Sequence, residues 1–225
     1  MQQNVQSAMK PEIIEKIQTA GVVAVLVIDQ LQHTIPLANA LLAGGIDAIE
    51  LTLRTPIALD AAKLVKAELP QITLGLGTVI TVDQVKEAVD IGADFAVAPG
   101  CNPTIIAAAK EHGLSFAPGV VTPTDIELAI EQGCRILKYF PAETAGGMKY
   151  LSNISAPYQH MDLKFIPLGG IKVDNVIDYL HSPLIAAIGG SWIAPRSMIR
   201  GEDWEGITQN AMQIRSLISE LRSKN

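Results

Sequence analysis

A lysine at position 138 stands where a charged side chain would be poorly solvated. The run 134–141, Cys-Arg-Ile-Leu-Lys-Tyr-Phe-Pro, is typical of a short strand that ends at a proline. Side chains alternate along a strand, so Cys134, Ile136, Lys138 and Phe140 share one face. Burial lowers the pKa of a lysine from about 10.4, and an amine near neutrality is a nucleophile that forms a Schiff base with a carbonyl substrate. The same residue also fits a strand-end lysine that extends its ammonium into solvent.

A glutamate lies on the inward face of another predicted strand. In Ala48–Thr52, alternation puts Glu50 opposite Ile49 and Leu51, and these two apolar side chains should face the helices. A buried carboxylate needs a partner, and a raised pKa would suit it to proton transfer. Two roles therefore stay open for Glu50: acid/base catalysis, or a structural salt bridge in which Lys138 itself could be the partner.

An arginine follows that strand by two residues. Arg54 lies in the predicted loop 53–56, where its guanidinium fork could hold a carboxylate through two parallel hydrogen bonds. An ordinary surface arginine is the alternative. Thr55 and Pro56 predict the N-cap and the first position of the next helix.

Short apolar runs alternate with segments of helical period along the whole chain. The predicted strands are Val22–Ile28, Ala48–Thr52, Ile72–Leu76, Phe95–Ala98, Ser115–Ala117, Arg135–Tyr139, Lys164–Leu168 and Ile185–Ile188. The predicted helices between them include Ile35–Ala43, Ile57–Glu68, Val82–Ile91, Thr104–His112, Thr124–Gln132 and Val173–Leu180. An extra N-terminal helix is predicted over Met9–Ala20 and a closing helix over Asp203–Ser223. Eight strand–helix units predict an α/β fold of the (β/α)8 TIM-barrel type, with a doubly wound open sheet as the alternative. No linker divides the chain, which predicts a single domain over residues 1–225.

Glycines end several of the predicted strands. They occur in the runs 75–79 (Gly-Leu-Gly-Thr-Val), 98–100 (Ala-Pro-Gly), 167–171 (Pro-Leu-Gly-Gly-Ile) and 189–192 (Gly-Gly-Ser-Trp). Glycine lets the backbone approach a ligand closely, although it also serves simple turns. The last two runs follow the seventh and eighth strands, where barrels of this type bind phosphate with exposed N–H groups and helix N-termini. We therefore expect a phosphate or a similar anion there.

The composition narrows the classes of partner. The chain has 225 residues, of which 48% are hydrophobic and 4% aromatic, and its net charge of −6 argues against nucleic acid and anionic membrane as main partners. Two distant cysteines predict neither a disulfide framework nor a zinc site, and they indicate a reducing compartment, hence the cytoplasm. The histidines show no ligand spacing and are assigned no role; they are His33, His112, His160 and His181. Met1–Gln6 lacks signal-peptide features, and no apolar run reaches the ~18 residues of a membrane span.

Taken together, these motifs resemble the class I aldolase family that cleaves 2-keto-3-deoxy-6-phosphogluconate (KDPG) and 4-hydroxy-2-oxoglutarate (KHG). The resemblance extends from Val22 to Ile193. It rests on five ordered motifs, which are the runs 49–55 (Ile-Glu-Leu-Thr-Leu-Arg-Thr), 77–79 (Gly-Thr-Val), 99–100 (Pro-Gly), 138–143 (Lys-Tyr-Phe-Pro-Ala-Glu) and 169–171 (Gly-Gly-Ile).

The resemblance implies a role for each residue of the set. It implies that Lys138 forms the Schiff base with the 2-oxo carbon and that Glu50 moves protons through a water. The implied substrate-binding residues are Arg54 and Thr78 for the carboxylate end, Phe140 for the pyruvyl part, Pro99 for pocket shape, and Gly169, Gly170, Gly190 and Ser191 for phosphate. The resemblance also implies a homotrimer, no metal or organic cofactor, a small 2-oxo acid substrate with pyruvate as product, and a place in carbohydrate metabolism such as the Entner–Doudoroff pathway.

Leu168 departs from the family pattern, which usually has threonine in Pro-Thr-Gly-Gly. Ala98 before Pro99 and Leu76 between glycines are further departures. Because the threonine hydroxyl is missing, the part of the substrate that leaves as the aldehyde stays open, with a phosphorylated sugar acid and glyoxylate as the two possibilities. The stereochemistry of that part stays open as well. Two other functions stay open on the same barrel: a phosphosugar isomerase or synthase that uses no covalent chemistry, and a non-catalytic binder of a phosphorylated metabolite.

Overall fold

A computed structural model describes residues 8–223, and these residues form an α/β fold. The strands are β1 (Val22–Leu26), β2 (Ala48–Thr52), β3 (Thr73–Gly77), β4 (Phe95–Val97), β5 (Phe116–Ala117), β6 (Gly119–Val120), β7 (Ile136–Tyr139), β8 (Lys164–Pro167) and β9 (Ile188–Gly190). The helices are α1 (Pro11–Ala20), α2 (Thr34–Ala43), α3 (Ala58–Glu68), α4 (Val82–Ile91), α5 (Pro103–Glu111), α6 (Pro123–Glu131), α7 (Gly147–Ser155), α8 (Val176–Leu180), α9 (Arg196–Arg200) and α10 (Trp204–Arg222). Two 3-10 helices cover Leu31–His33 and Ala156–Met161. The predicted α/β class is confirmed, whereas Met1–Gln6 lie outside the described residues.

The strands form curled parallel sheets. One sheet has the order β5-β4-β3-β2-β1-β9, and the other has the order β6-β7-β8. Backbone hydrogen bonds join the second sheet to segments adjoining the first: next to β5, the Lys138 N–H donates to the Pro118 carbonyl at 2.8 Å. On the other side, Phe165 pairs with Ile185 in an isolated bridge, and the Ala186 N–H donates to the Phe165 carbonyl at 2.9 Å.

Two predicted strands differ from the observed ones for backbone reasons. The fifth predicted strand, Ser115–Ala117, corresponds to β5, which ends at Pro118 because proline has no N–H; β6 beyond it was not predicted. The predicted strand Ile185–Ile188 is wrong in its bounds, since Ile185 bridges to β8 while Ile188–Gly190 pairs with Val22–Ala24 of β1. The chain changes strand partner within three residues, and a local apolar run carries no signal of that change.

The strands separate two layers of apolar side chains, which follows from the two-residue period of a strand. In β1, Val23 and Val25 point to the inside of the curl, and Val22, Ala24 and Leu26 pack against the helices. The inner core consists of Met9, Ile13, Ile17, Ala20, Val23, Val25, Ala48, Phe95, Val97, Ala117, Ile136, Ile166, Leu168, Ala186 and Ala187. Its side chains fill the space below the carboxyl ends of the strands.

The helices at the two ends of the chain are close to their predicted bounds. Helix α1 begins at Pro11, which is favoured at a first helical position, rather than at Met9, and Ile13 and Ile17 extend the inner core. Helix α10 begins after Asp203, whose side chain accepts a hydrogen bond from the Gly206 N–H at 3.0 Å. Within residues 8–223, no helix combines the length and the apolar character that a membrane crossing requires.

Replacing Gly75 with alanine should destabilise the inner core. A Cβ at Gly75 would lie 2.2 Å from the ring of Phe95, the residue paired with it on β4. We expect the free energy of unfolding to fall by about 1–3 kcal/mol, the usual cost of overpacking, as measured by urea unfolding. Phe95→Leu in the Gly75→Ala background should recover part of that loss, whereas strictly additive losses would contradict this packing.

Candidate active site

A cavity of about 190 Å³ opens at the carboxyl ends of the strands. It is lined by Val25, Glu50, Thr52, Arg54, Thr78, Pro99, Lys138, Phe140, Leu168, Gly169, Gly189 and Ser191. Eight of the ten predicted site residues therefore lie around one cavity, and Gly170 and Gly190 are not among the lining residues. Val25, Thr52 and Gly189 line it without having been predicted as site residues.

Lys138 and Glu50 meet inside this cavity. The Nζ atom of Lys138 donates to Oε1 of Glu50 at 2.9 Å, and the two side chains are 7% and 4% exposed. Lys138 lies above Ile136 on the inner face of β7, while Leu137 and Tyr139 pack in the outer layer. The prediction of a buried lysine is confirmed, and the alternative of an ammonium extended into solvent is wrong.

Phe140 provides a second partner for the ammonium. Its ring centroid lies 5.6 Å from Nζ of Lys138, within the range of a cation–π contact. The Lys138 charge is therefore held by one carboxylate and one aromatic face. Both partners lie on the inner side of the strands, as the alternation of β2 and β7 predicts.

Glycine in β3 creates the space for Glu50. A Cβ at Gly77 would lie 2.1 Å from Oε1 of Glu50, so this position has no room for a larger residue. The next residue, Thr78, has φ +65°, a left-handed backbone that is uncommon for threonine and is typical of functional sites. This conformation ends β3 and brings Thr78 to the wall of the cavity.

Arg54 lies at the mouth with its terminal nitrogens available. Its Nε donates to Oγ1 of Thr52 at 3.2 Å, and that hydroxyl donates to the Leu26 carbonyl at 2.9 Å. The Nη atoms of Arg54 donate to none of residues 8–223, so they are free to bind an anion. The predicted N-cap role of Thr55 is wrong, because its hydroxyl donates to the Ile28 carbonyl at 2.7 Å. The helix instead begins at Ala58.

The glycine loop after β8, which we define as residues 169–171, has backbone N–H groups without backbone partners. Gly169 and Gly170 have φ +98° and +81°, and their N–H groups take part in none of the backbone hydrogen bonds of the described chain. The expected helix N-terminus does not contribute here, since α8 begins only at Val176. Gly190 packs under the Trp192 ring, where a Cβ would lie 2.6 Å from a ring carbon.

Leu168, the residue before this loop, gives the cavity an apolar lining. A Cβ at Gly189 would lie 2.2 Å from Cγ of Leu168, so the glycine at 189 makes room for this side chain. The sequence shows glycine at 189 but carries no signal that its partner is Leu168, which follows β8. The pair narrows the cavity on the side where the family usually has a hydroxyl.

The metal-ligating residue types of the described chain do not form a metal centre. His33 is buried, and its Nε2 lies 3.2 Å from Oε1 of Glu202. In the part of the chain that the structure describes, no group of three or more His, Cys, Asp and Glu side chains could hold a metal ion.

Comparison with known proteins agrees with this geometry. The sequence profile of the KDPG and KHG aldolase family matches residues 13–210. This chain belongs to that family. A 2-dehydro-3-deoxy-phosphogluconate aldolase from Dickeya dadantii is 40% identical over 200 residues, which cover 88% of this chain and 93% of the relative.

Solved structures of KDPG aldolases share the fold. One from Legionella pneumophila, with pyruvate captured as a covalent carbinolamine intermediate, has a TM-score of 0.85 and 37% identity. The match covers 89% of this chain and 97% of that one. A Zymomonas mobilis KDPG aldolase with 3-phosphoglycerate has a TM-score of 0.82 and 34% identity, over 88% and 93% of the two chains.

Gly77→Ala should disable the site without unfolding the protein. The added Cβ displaces the Glu50 carboxylate, and a misplacement of about 1 Å can lower kcat by about 10²-fold. Gly100→Ala is the matched control, because a Cβ at Gly100 would have no neighbour within 4 Å. Steady-state kinetics and circular dichroism measure the two effects. Equal kcat values for the two variants would contradict the assignment of this contact.

Proposed function

We propose that the protein is a class I aldolase, a lyase that cleaves KDPG to pyruvate and glyceraldehyde 3-phosphate and acts also on KHG to give pyruvate and glyoxylate. The observation that carries the proposal is the 2.9 Å contact between Lys138 Nζ and Glu50 Oε1 in a cavity at the strand ends. Family membership supports the same reaction. The chemistry needs neither a metal nor an organic cofactor, because the lysine itself supplies the electron sink.

Schiff-base formation begins when the amine of Lys138 attacks the 2-oxo carbon of the substrate. Glu50 is the carboxylate within hydrogen-bond distance, so it takes the proton that the ammonium must lose. Glu50 returns this proton to the carbinolamine hydroxyl, which leaves as water and gives a protonated imine, and Glu50 is then ionised again. The inner core below the pair keeps bulk water away from the lysine stem.

Carbon–carbon cleavage follows from the charge on this imine. The C4 hydroxyl gives its proton to Glu50 through a water, the C3–C4 bond breaks, and its electron pair moves into the iminium to form an enamine. The aldehyde leaves. Glu50 then returns a proton to C3, and hydrolysis of the resulting imine releases pyruvate and regenerates Lys138.

The other residues of the cavity bind the two ends of the substrate. Arg54 and Thr78 hold the carboxylate, a role supported by the unpartnered Nη atoms of Arg54 and the strained backbone of Thr78. Phe140 packs on the pyruvyl part, and Pro99 shapes the opposite wall. The phosphate contacts are Gly169, Gly170, Gly190 and Ser191, and the free N–H groups of Gly169 and Gly170 support this end.

We further propose that the two sheets complete one (β/α)8 barrel with an extra N-terminal helix. The hydrogen bonds at Pro118 and at Phe165 support closure on both sides. A single domain over residues 1–225, a homotrimer, a cytoplasmic location and a place in the Entner–Doudoroff pathway are part of the same proposal, and the family resemblance supports them.

Borohydride reduction in the presence of pyruvate tests the proposed chemistry. Wild-type protein should be irreversibly inactivated, with a reduced pyruvyl adduct on the peptide that contains Lys138. Lys138→Met should abolish trapping. Glu50→Gln should still be trapped but should lower kcat by about 10²–10⁴-fold, the usual contribution of a general acid/base.

Trapping also separates the aldolase from the two alternative functions. A phosphosugar isomerase or synthase, and a non-catalytic binder of a phosphorylated metabolite, need no covalent lysine. An unmodified Lys138 in wild-type protein that is saturated with pyruvate would therefore overturn the aldolase proposal.

Leu168→Thr should change the choice of aldehyde. A threonine hydroxyl can meet the hydroxyl-bearing chain of KDPG, which KHG lacks, so the ratio of kcat/KM for KDPG to that for KHG should rise about fivefold, the worth of one hydrogen bond. Leu168→Val is the matched control, since it removes similar bulk without adding a hydroxyl. If the ratio is unchanged in Leu168→Thr, or rises equally in Leu168→Val, the hydroxyl is not the determinant.

A further inference from the structure

Glu143 joins the Schiff-base strand to the glycine loop. It follows Lys138 by five residues and lies between β7 and α7. Its N–H donates to the Gly169 carbonyl at 3.0 Å, one residue after the Ala142 N–H donates to the Leu168 carbonyl at 2.7 Å. A Cβ at Gly170 would lie 2.6 Å from Cβ of Glu143. Glu143 therefore packs directly behind the loop.

The carboxylate of Glu143 is held by a buried phenol. Tyr179 on α8 is 1% exposed, and its hydroxyl donates to Oε1 of Glu143. Burial, followed by this hydrogen bond, raises the pKa of Tyr179 well above its usual range, so the hydroxyl stays protonated and remains a donor. Burial also raises the pKa of the neighbouring Tyr139 to about 12, and its hydroxyl donates to the Gly147 carbonyl at 3.3 Å.

Gly147 leaves room for the hydrogen bond between Tyr179 and Glu143. It has φ +62°, and a Cβ there would lie 3.1 Å from Oε1 of Glu143 and 3.5 Å from Oη of Tyr179. The Tyr179–Glu143 hydrogen bond ties α8 to the segment after β7. Glu143 in turn contacts the glycine loop, from which the chain continues to α8. Since α8 has only five residues, its placement depends on such side-chain contacts more than on its own length.

We propose that the Glu143–Tyr179 pair is a positioning device that fixes the glycine loop at the distance from Lys138 that the anionic end of the substrate requires. The inference rests on the proposed aldolase function and adds the residues that set the geometry of its phosphate end. Neither side chain lines the cavity. The pair acts through the backbone of Gly169 and Gly170, and Asn175, whose Nδ2 donates to the Gly170 carbonyl at 3.3 Å, supports the same loop from the far side.

Two substrates that differ by one phosphoryl group separate positioning from general stability. We compare KDPG with 2-keto-3-deoxygluconate, measuring pyruvate release by wild type and Tyr179→Phe. The variant should raise KM for KDPG about tenfold, as expected for loss of a hydrogen bond to a charged group, with kcat changed less than twofold. Both constants for 2-keto-3-deoxygluconate should stay within twofold of wild type.

Tyr158→Phe is the matched control. Its hydroxyl donates to Oε1 of Glu127 at 2.8 Å, which is the same pair chemistry on the outer surface of the protein. This variant should leave all four constants unchanged. Glu143→Gln keeps an acceptor for Tyr179 and should remain near wild type, whereas Glu143→Ala should reproduce Tyr179→Phe.

The outcomes against the proposal are distinct. Equal losses for both substrates in Tyr179→Phe and Glu143→Ala would assign the pair a structural role and overturn the proposal. KM values for KDPG that stay at the wild-type level in both variants would overturn it as well. If wild type releases no pyruvate from either compound, the aldolase function has failed and the positioning proposal fails with it.

Discussion

The ion pair between Lys138 and Glu50 is the interaction on which the surrounding structure depends. Moving both charges out of water costs several kcal/mol per ion, and their attraction offsets this only when the geometry is good. A Nζ–Oε1 distance of 2.9 Å and a Phe140 ring beside the ammonium meet that condition. The same contact serves the reaction, because it places a proton acceptor 2.9 Å from the amine that must lose a proton before it attacks a substrate carbonyl.

Glycines on neighbouring strands provide the space for Glu50 and for the Leu168 side chain. Gly77 leaves the volume that the Glu50 carboxylate fills, and Gly189 does the same for Leu168. Beyond the strand ends, Glu143 and Tyr179 fix the loop that faces the far end of the cavity. The reaction, the shape of the cavity and the proposed anion binding therefore depend on different elements, which meet along one edge of the sheets.

Much of this arrangement could be predicted from local sequence, and the part that could not is non-local. Alternation within Ala48–Thr52 and around Lys138 correctly gave the inner faces, because that signal lies within five residues. The change of strand partner after Ile185 depends on neighbouring strands. So do the contacts of Gly77 with Glu50 and of Tyr179 with Glu143, since the partners lie 27 and 36 positions apart in the sequence. The sequence around Thr55 is typical of a helix N-cap, yet its hydroxyl donates a hydrogen bond to the Ile28 carbonyl instead.

Crystals of the wild-type protein soaked in pyruvate provide the most direct test that the Lys138–Glu50 pair is the reacting centre. Electron density should be continuous from Lys138 Nζ to C2 of pyruvate, with the Glu50 carboxylate beside the new bond and the pyruvate carboxylate towards Arg54. Pyruvate bound in the cavity without a covalent bond to Lys138, or joined to another amine, would contradict this account.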